Sequence, residues 1–362
     1  MNREAENGRS KIKVLLVDDS QIALVLIKKM LSTAPDIEVV GTAKNGREAL
    51  ELIPNVDPTI VCTDLHMPVM DGLELTREIM DKCPKPILVI SASVSEGNTN
   101  VFQLMDAGAV DVFPKPRGGL ETEYILQSND LINKLRIIAG VHVFRRARKD
   151  ATAPVCTIPA EMRLPAKQAH LRMVAIGAST GGPQAFQYIL SRFPVNFPIP
   201  VICVQHIGDG FMEGFVEWLN AVCAVKIEIA QEGAAPLPGV VYFPRGGAHL
   251  LIDAGGRFKY SLGAPCNGHR PSISATFTSV AEYCGNGVIG VLLTGMGNDG
   301  AEGLKEIADR GGLTIAQDEK TCVVFGMPKC AVELGAARNV LPLEGIAPMI
   351  MSRVSMNGVN IQ

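Results

Sequence analysis

Short, almost continuously apolar segments alternate with helical stretches along the first third of the chain. Strands are predicted at residues 12–17, 38–43, 59–63, 87–91 and 110–113. Helices are predicted at residues 23–31, 47–53, 73–80, 99–107 and 120–138. A strand such as Val14-Leu-Leu-Val17 has no polar face, which is typical of a parallel sheet covered by helices on both sides. The alternation predicts a doubly wound, five-stranded parallel α/β domain, whose ligands bind beyond the carboxyl ends of the strands.

The same alternation resumes at Met173. Strands are predicted at residues 173–176, 199–205, 226–230, 240–244, 288–294 and 313–316. Helices are predicted at residues 183–190, 211–221, 271–283, 301–310 and 328–334. The Gly255-Gly256 pair in the middle of residues 249–259 predicts the turn of a β-hairpin. The second part of the chain is therefore expected to form another α/β domain, with a mainly parallel sheet and a β-hairpin.

The stretch between the two alternating regions has no sustained periodicity. A chain of 362 residues is long enough for two domains. We interpret residues 140–170 as the linker between a domain at residues 11–139 and a domain at residues 171–362. The basic cluster Arg145-Arg-Ala-Arg-Lys149 is either a solvated face of this linker or a docking patch for an acidic partner.

The composition excludes several classes of protein. The net charge of −3 argues against a general nucleic-acid binder. The polar first residues are not a signal peptide, and no apolar run approaches the ~18–20 residues of a membrane span. The nine cysteines are scattered without a Cys-x-x-Cys pair, which is typical of reduced core thiols. We therefore expect a cytoplasmic protein that is not membrane-embedded.

Five polar side chains fall at the predicted strand ends of the first domain. Asp18 and Asp19 follow the first strand, Asp64 follows the third, Ser91 ends the fourth and Lys115 follows the fifth. In a parallel sheet these ends meet at one edge, where clustered carboxylates favour a hard divalent cation such as Mg²⁺. The lysine and the hydroxyl can bind the oxygens of a phosphoryl group on an aspartate. The alternative is that the acidic residues only cap the next helix, a role open to Asp19 or to Ser20.

This region resembles a response-regulator receiver domain, a flavodoxin-like fold. The matching segments are Val17-Asp-Asp-Ser20, Thr63-Asp-Leu-His-Met-Pro-Val-Met-Asp-Gly72, Ser91-Ala92 and Lys115-Pro116. The resemblance implies that Asp64 is the phospho-acceptor and that Asp18 and Asp19 help it to hold Mg²⁺ at the receiver site. It also implies that Ser91 is the switch hydroxyl and Lys115 the phosphate-contacting lysine.

A small-residue turn follows the first strand of the second domain. Ser179 lies in the middle of a Gly177-x-Ser179-x-Gly181 pattern, and Pro183 suits the first turn of the helix that follows. This context is typical of a nucleophile elbow, in which a tight turn projects one hydroxyl beyond the sheet. The amides at the start of the helix are then available to stabilise an oxyanion. Alternatively, the glycines only tighten a strand-helix junction.

A nucleophilic serine needs a base, and the candidates are the three histidines that follow it, His206, His249 and His269. His206 is favoured because it ends an apolar strand and shares the edge of Ser179 if the two strands are parallel neighbours. Asp299, in a glycine-rich turn after a strand, is the favoured orienting carboxylate. The alternatives are a structural histidine at 206 and an N-cap at Asp299 for the helix at residues 301–310. The order Ser-His-Asp differs from that of α/β-hydrolases.

The second domain resembles the chemotaxis protein-glutamate methylesterase (CheB) family. The matching segments are Ile176-Gly-Ala-Ser-Thr-Gly-Gly-Pro183, Val204-Gln-His206, Pro271-Ser272, Leu293-Thr-Gly-Met-Gly-Asn-Asp-Gly300 and Ala316-Gln-Asp-Glu-Lys-Thr-Cys-Val-Val-Phe-Gly-Met-Pro328. The resemblance implies that Ser179 is the nucleophile, His206 the base and Asp299 the orienting acid. The backbone amides near Thr180 and Met296 are the implied oxyanion donors.

The resemblance also implies a function. The expected reaction is hydrolysis of glutamate γ-methyl esters on chemoreceptors, the methyl-accepting chemotaxis proteins, with deamidation of receptor glutamines as a slower activity. No cofactor is expected for the esterase chemistry, and a chemotaxis histidine kinase is the expected phosphodonor. We hypothesise that the unphosphorylated receiver covers the Ser179 cleft and that aspartyl phosphate at Asp64 weakens this packing.

Three positions depart from the family pattern. Val112 stands three residues before Lys115, where receivers often have an aromatic residue. Ile207-Gly-Asp-Gly210 follows His206 in place of Met-Pro, and Ser274 stands where an aspartate is common. We expect the last two to lie near the substrate cleft.

The competing function is a non-enzymatic two-component regulator, whose second domain binds a nucleotide phosphate at Gly177–Gly182, or a partner. The loop lacks Gly-Lys-[Ser/Thr], so a P-loop NTPase is not expected.

Overall fold

The computed structural model describes residues 11–92, 95–96, 99–116, 121–141, 143, 171–208 and 210–355. The chain divides into two compact units, one of residues 1–93 and 103–149, the other of residues 94–102 and 150–362. Most of the predicted linker, including its basic cluster, lies outside the described residues. The predicted domain boundaries therefore stay predictions. No helix in the described part of the chain is long and apolar enough to cross a membrane.

The first unit contains a five-stranded parallel sheet, as predicted. Its strands are β1 (Ile12–Val17), β2 (Ile37–Ala43), β3 (Ile60–Thr63), β4 (Ile87–Ser91) and β7 (Asp111–Pro114), in the order β2-β1-β3-β4-β7. Its helices are α1 (Gln21–Leu31), α2 (Gly46–Val56), α3 (Gly72–Lys82), α4 (Gln103–Ala107) and α5 (Glu121–Ile138). Leu15, Val61 and Val89 in the central strands are fully buried. This burial explains why the strands have no polar face.

One predicted helix begins too early. The prediction of a helix over residues 99–107 is wrong at its start, because α4 begins at Gln103. Thr99–Asn100 form a short strand, β6, which pairs antiparallel with β5 (Ser95–Glu96). The buried side chains of Val101, Phe102, Leu104 and Met105 have helical spacing, but this pattern carries no information about the backbone pairing of the preceding residues.

The second unit contains a seven-stranded parallel sheet and a separate hairpin. The sheet strands are β8 (Met173–Ala178), β9 (Val201–Gln205), β10 (Lys226–Ile229), β11 (Val240–Phe243), β14 (Val288–Leu292), β15 (Leu313–Gln317) and β16 (Asn339–Leu341). Their order is β10-β11-β9-β8-β14-β15-β16. The helices are α6 (Gly182–Leu190), α7 (Met212–Val222), α8 (Ile273–Cys284), α9 (Ala301–Asp309), α10 (Met327–Glu333) and α11 (Leu343–Ser355). The fold class predicted from the sequence is confirmed, although β16 and α11 were not predicted.

The predicted hairpin consists of β12 (His249–Ile252) and β13 (Phe258–Ser261), which pair antiparallel. Gly256 takes the positive φ of 76° that the connecting turn needs. The hairpin is bonded to α8, because Thr276 Oγ1 donates to the Leu250 carbonyl at 2.7 Å and the Ile252 N–H donates to Ser279 Oγ at 3.0 Å. These two bonds fix the position of α8.

The described cysteines are all free thiols, as expected, but only three of the eight are buried. Cys62, Cys203 and Cys284 lie in the interior, whereas Cys266 is exposed. Burial raises the pKa of the Cys284 thiol to about 11. The expectation that the thiols belong to the core is therefore correct for only part of the set.

Replacement of Phe186 by alanine should destabilise the second domain. Phe186 is fully buried and its ring packs edge-on against Phe243 at 5.2 Å. We expect Phe186→Ala to lower the free energy of unfolding by about 3–5 kcal/mol. The only tryptophan, Trp218, lies in the same unit, so its fluorescence during urea unfolding reports on this domain. The control is Val195→Ala, since Val195 is 68% exposed. An equal loss in both variants would contradict this packing.

Candidate active site

Three neighbouring strands at the centre of the second sheet bring the predicted triad residues to one edge. β8 pairs in parallel with β9 on one side and with β14 on the other. Ser179 follows β8, His206 follows β9 and Asp299 lies in the loop after β14. The His206 N–H donates to the Ala178 carbonyl at 3.0 Å, which holds the ends of β8 and β9 together. His206 was favoured as the base on the condition that its strand and that of Ser179 are parallel neighbours. The parallel pairing of β8 and β9 meets this condition.

Ser179 lies in a tight turn between β8 and α6. The Gly182 N–H donates to the Ser179 carbonyl at 2.8 Å, and Gly181 takes a φ of +77°, which favours glycine. Pro183 lies in the first turn of α6, as predicted. Ser179 itself does not have a positive φ, because the described non-glycine residues with positive φ are Asp57, Val69 and Asn267. The turn therefore has its left-handed residue at Gly181 and not at the serine.

The carboxylate of Asp299 is fully buried. It accepts hydrogen bonds from the residue after β9, from the start of α8 and from its own loop. Its donors are His206 Nε2 at 2.9 Å, Ser272 Oγ at 2.8 Å and the backbone N–H groups of Ile273 at 2.7 Å, Ser274 at 3.1 Å and Gly300 at 3.0 Å. The alternative role of Asp299 as the N-cap of the next helix is not observed, since Gly300 occupies that position. The carboxylate lies instead at the N-terminus of α8.

These donors determine the charge state of Asp299. Burial alone raises the pKa of a carboxyl group. The hydrogen bond and the charge of His206, together with the N–H groups of Ile273 and Ser274, outweigh burial and hold the pKa of Asp299 well below its usual range. The α8 N-terminus adds the positive end of its dipole. Asp299 is therefore ionised at neutral pH and can pair with the imidazole.

His206 is held by Asp299 at one nitrogen only. Its side chain is 7% exposed and Nε2 donates to Asp299, so that Nδ1 carries the lone pair in the neutral ring. Nδ1 is buried and has no hydrogen-bond partner among the described residues. This nitrogen is therefore the one available to take a proton from a hydroxyl at the same edge, such as that of Ser179. In chymotrypsin-like triads the two nitrogens have the opposite roles.

The other two candidate histidines have different contacts. His249 is 3% exposed, and its ring bridges two backbone groups. Its Nδ1 accepts from the Ser272 N–H at 3.2 Å, and its Nε2 donates to the Ala264 carbonyl at 3.1 Å. His269 stacks on His206, with ring centroids 3.8 Å apart and planes inclined by 12°. The sequence identified His269 as a loop histidine but did not predict this contact.

Gln205 is a site residue that the sequence analysis missed. It is 1% exposed, and its side-chain nitrogen donates to the carbonyls of Ser179 at 2.9 Å and His206 at 2.8 Å. One amide thus joins the backbones of the two residues predicted as nucleophile and base. The sequence signals were its place next to His206 and within the matching segment Val204-Gln-His206, because a glutamine at a strand end has by itself no recognisable chemical role.

The two residues predicted to supply oxyanion amides both lie beside Ser179. Thr180 is next in the chain and is 4% exposed, and its carbonyl accepts from Thr294 Oγ1 at 3.0 Å. Met296 follows Gly295, whose backbone passes so close that a Cβ there would lie 2.7 Å from Ser179 Cβ. The positions fit the predicted role, which no contact in the structure tests.

A cavity of about 420 Å³ opens next to His206. Its wall includes Ile207, Gly208 and Gly210, three residues of the segment that departs from the family pattern. Arg245 and Pro271 line it as well. Asp209 lies outside the described residues. The expectation that this segment faces substrate agrees with its place in the cavity wall and stays a prediction.

Ser274, the other departure in this domain, supports Asp299. Its side chain is buried and its Oγ accepts from the Gly300 N–H at 2.7 Å, while its own N–H donates to Asp299. Ser274 therefore joins the start of α8 to the loop after β14. The cavity wall described above does not include it.

The first sheet carries the predicted acidic pocket at its own carboxyl edge. Carboxylate oxygens of Asp18, Asp19 and Asp64 lie within 4.8 Å of one another. Lys115 Nζ lies 2.8 Å from Asp18 Oδ2 and 2.7 Å from Asp64 Oδ2. Burial is the main reason that the pKa of Asp64 is raised, with Asp18 acting in the same direction and Lys115 opposing it. The pocket thus combines oxygen ligands for a hard cation with a lysine.

The remaining predicted residues of this pocket are also at its edge. Ser91 is buried at the end of β4, and its carbonyl accepts from the Lys115 N–H at 2.8 Å. Val112 is a buried residue of β7. Of the two candidate caps for α1, Ser20 is the one that accepts from the Ala23 N–H, at 3.3 Å. Asp19 remains exposed and close to the other carboxylates.

The fold and the two sites define a class of protein. An acidic pocket with a lysine on a five-stranded parallel sheet, joined to an α/β domain with a Ser-His-Asp edge, is typical of a response regulator with a hydrolase-like output domain. Comparison with known families agrees with this class. The model of the CheB methylesterase family matches residues 174–350, and that of the response regulator receiver domain matches residues 14–123.

Curated relatives resemble the chain over almost its whole length. A protein-glutamate methylesterase/protein-glutamine glutaminase of Geobacter metallireducens is 40% identical, covering 94% of this chain and 98% of the relative. A protein of the same description from Nitrosospira multiformis is 38% identical, covering 96% and 98%. The solved CheB methylesterase catalytic domain of Thermotoga maritima is 36% identical over 51% of this chain and 98% of its own, with a TM-score of 0.49. The chain belongs to the CheB methylesterase family, which confirms the family predicted from its motifs.

Replacement of Asp299 by asparagine should change how stability depends on pH. A carboxyl group whose pKa is lowered by folding contributes stability above its unfolded pKa, and this contribution is lost as the pH falls through the folded value. We expect Asp299→Asn to be less stable than the parent at pH 7, and the difference to shrink below about pH 4. Urea midpoints from Trp218 fluorescence between pH 7 and pH 3 measure this. Asp309→Asn, at an exposed position, is the control. Parallel curves for Asp299→Asn and the parent would contradict the assignment.

Proposed function

We propose that this chain is a phosphorylation-regulated serine hydrolase that removes methyl groups from glutamate γ-methyl esters of chemoreceptors and also deamidates receptor glutamines. The observation that carries the proposal is the imidazole of His206, which donates from Nε2 to buried Asp299 and leaves Nδ1 without a partner among the described residues. Ser179 directly follows the neighbouring strand, β8, at the same edge. The names of the relatives support the same activity.

The proposed chemistry follows from the roles of the three side chains. Ser179 Oγ attacks the side-chain carbonyl of the substrate while His206 Nδ1 takes its proton, and the imidazolium is stabilised by ionised Asp299. The protonated His206 then gives this proton to the departing methoxy oxygen as the C–O bond breaks, which releases methanol. With glutamine the proton goes to the departing amide nitrogen and ammonia is released. Water, deprotonated by His206, then attacks the acyl-enzyme, and His206 returns this proton to the departing Ser179 Oγ. The free serine is regenerated and the receptor side chain is left as glutamate. An amide leaving group is poorer than an ester, so deamidation is the slower reaction.

The proposed oxyanion donors are the backbone amides of Thr180 and Met296. Charge develops on the substrate oxygen only during the attack, so donors held in place beforehand favour the transition state over the ester. Support comes from the close approach of Gly295 to Ser179, which brings the Met296 segment beside the turn. No cofactor is needed for this chemistry.

We propose that the receiver domain is phosphorylated on Asp64. The three carboxylates of Asp18, Asp19 and Asp64 fit a hard cation, because their oxygens lie within 4.8 Å of one another and offer the ligands that Mg²⁺ prefers. A bound Mg²⁺ would neutralise charge on the incoming phosphoryl group. Lys115 is within 2.7 Å of Asp64 and would contact a phosphoryl oxygen, and Ser91 would be the switch hydroxyl. The donor is proposed to be a chemotaxis histidine kinase.

If chemoreceptors are the substrate, we expect the protein to act in the cytoplasm, where their modified helices lie.

A non-enzymatic regulator that binds a phosphate at Gly177–Gly182 has less support. Such a module has no need for an imidazole held by a buried carboxylate at the end of the next strand. The lowered pKa of Asp299 supports a role for the negative charge beside His206.

Ser179→Ala should abolish hydrolysis and leave the fold intact. The parent protein should react with a fluorophosphonate probe and release methanol from a methylated chemoreceptor, whereas Ser179→Ala should do neither, losing at least about 10³-fold in rate. Mass spectrometry locates the label and gas chromatography measures the methanol. Ser191→Ala is the matched control, because Ser191 is an exposed serine at the far end of α6. Methanol release retained by Ser179→Ala would remove Ser179 as the nucleophile.

Asp64→Asn should separate the two sites. We expect a small phosphodonor with Mg²⁺ to raise the methanol-release rate of the parent and to leave that of Asp64→Asn unchanged, since asparagine cannot form the aspartyl phosphate. Labelling of Ser179 should still occur in the variant. Asp81→Asn, an exposed carboxylate of α3, is the control and should respond like the parent. Equal rates for the parent with and without phosphodonor would contradict the proposed regulation.

A further inference from the structure

We propose that His269 is a positioning residue whose ring fixes the plane of the His206 imidazole, so that Nδ1 faces Ser179. This inference rests on the proposed function, because it assigns a partner to the proposed base. The observation behind it is the close stack of the two rings, with centroids 3.8 Å apart and planes inclined by 12°.

Asp299 alone does not determine the orientation of His206. A hydrogen bond at Nε2 holds one side of the ring. The ring can still turn about its Cβ–Cγ bond, because the axis of this bond passes close to Nε2. Nδ1 has no hydrogen-bond partner among the described residues that would stop this rotation. A flat surface against the face of the ring provides the missing constraint. His269 is the ring that occupies this position.

The backbone holds His269 firmly enough for this role. The N–H of His269 donates to the Cys266 carbonyl at 2.9 Å, and the Cys266 N–H donates to the His269 carbonyl at 3.1 Å. Between them, Asn267 and Gly268 have φ values of 50° and 81°. Two bonded residues joined by an Asn-Gly pair with positive φ form a type I′ turn, which is the tightest hairpin connection. His269 thus extends from a defined turn.

The loop around the turn is tied to the rest of the site. The Arg270 guanidinium donates to the carbonyls of Leu262 at 3.3 Å and Gly263 at 3.2 Å, joining the two arms of the loop. His249 donates to the Ala264 carbonyl and accepts from the Ser272 N–H. The hydroxyl of Ser272 in turn donates to Asp299. The same loop therefore holds the ring that stacks on His206 and the carboxylate that bonds to it.

The geometry favours contact between the faces of the two rings over proton transfer between them. In a nearly parallel stack the rings meet face to face, and the nitrogens lie at the ring edges. A proton relay between the rings would need a nitrogen of one directed at a nitrogen of the other. An aromatic ring without nitrogen should therefore replace His269, whereas a polar side chain without a ring should not.

The expected effect is on the chemical step. A misplacement of about 1 Å in a reacting group can cost about 10²-fold in rate. Loss of the stack should therefore lower the rate of proton transfer from Ser179 and leave the affinity for the reactive compound unchanged. This pattern separates positioning from binding.

The test measures how fast a fluorophosphonate inactivates the full-length protein. It determines the maximal rate constant of inactivation and the fluorophosphonate concentration at which half of this rate constant is reached, the half-saturation concentration. His269→Ala and His269→Gln should lower the rate constant about 10- to 100-fold without changing the half-saturation concentration. His269→Phe should stay within about 3-fold of the parent, because phenylalanine keeps a planar ring over His206. Leu262→Ala, an exposed side chain in the same loop, is the control. Unfolding followed by Trp218 fluorescence checks that each variant is folded.

Each other outcome overturns the proposal. An unchanged rate constant in His269→Ala means that the stack has no role. An equal loss in His269→Phe and His269→Ala means that a nitrogen is required, which excludes a role for the ring face alone. A change in the half-saturation concentration in place of the rate constant means that His269 binds the reagent. If the parent itself fails to react, the proposed serine hydrolase is wrong, and the role of His269 falls with it.

Discussion

The second domain depends on one buried charge, the carboxylate of Asp299. A buried carboxylate without partners costs several kcal/mol, so the chain has to supply donors wherever this side chain lies. The donors come from the ring of His206, from the first residues of α8 and from Gly300. These groups follow different strands. Satisfying the charge therefore brings the end of β9, the start of α8 and the loop after β14 to one point, beside the turn that carries Ser179.

Each sheet carries a buried aspartate at its own carboxyl edge, but the pKa values of the two aspartates are shifted in opposite directions. Both Asp64 and Asp299 are buried aspartates beyond parallel strands, yet the pKa of Asp64 is raised and that of Asp299 is lowered. The difference follows from their neighbours. Asp64 faces a second carboxylate, Asp18, with one lysine between them, whereas Asp299 accepts hydrogen bonds from five groups. The first arrangement can gain from a cation, while the second already provides a stable anion for a histidine.

The three histidines after Ser179 show how tertiary contacts give different roles to residues of one type. His206 bonds to a carboxylate, His249 bridges two backbone groups and His269 lies face to face with His206. They form one connected set, because the Ser272 that donates to Asp299 also donates to His249 through its backbone. A single polar network thus links the loop of His269 to the proposed base.

Local patterns in the sequence were enough to predict both sheets, the hairpin and the residues at the strand ends, since apolar runs and glycine-rich turns reflect short-range preferences of the backbone. They failed at Thr99–Asn100 and β16, which are short and depend on strand pairing, and they did not identify the 13-residue helix α11. Tertiary structure alone decided that Asp299 lies at the start of α8, that His206 presents Nδ1 and that His269 stacks on it. The reason is physical: these contacts join side chains far apart in the chain, and their geometry follows only from how the strands and loops pack.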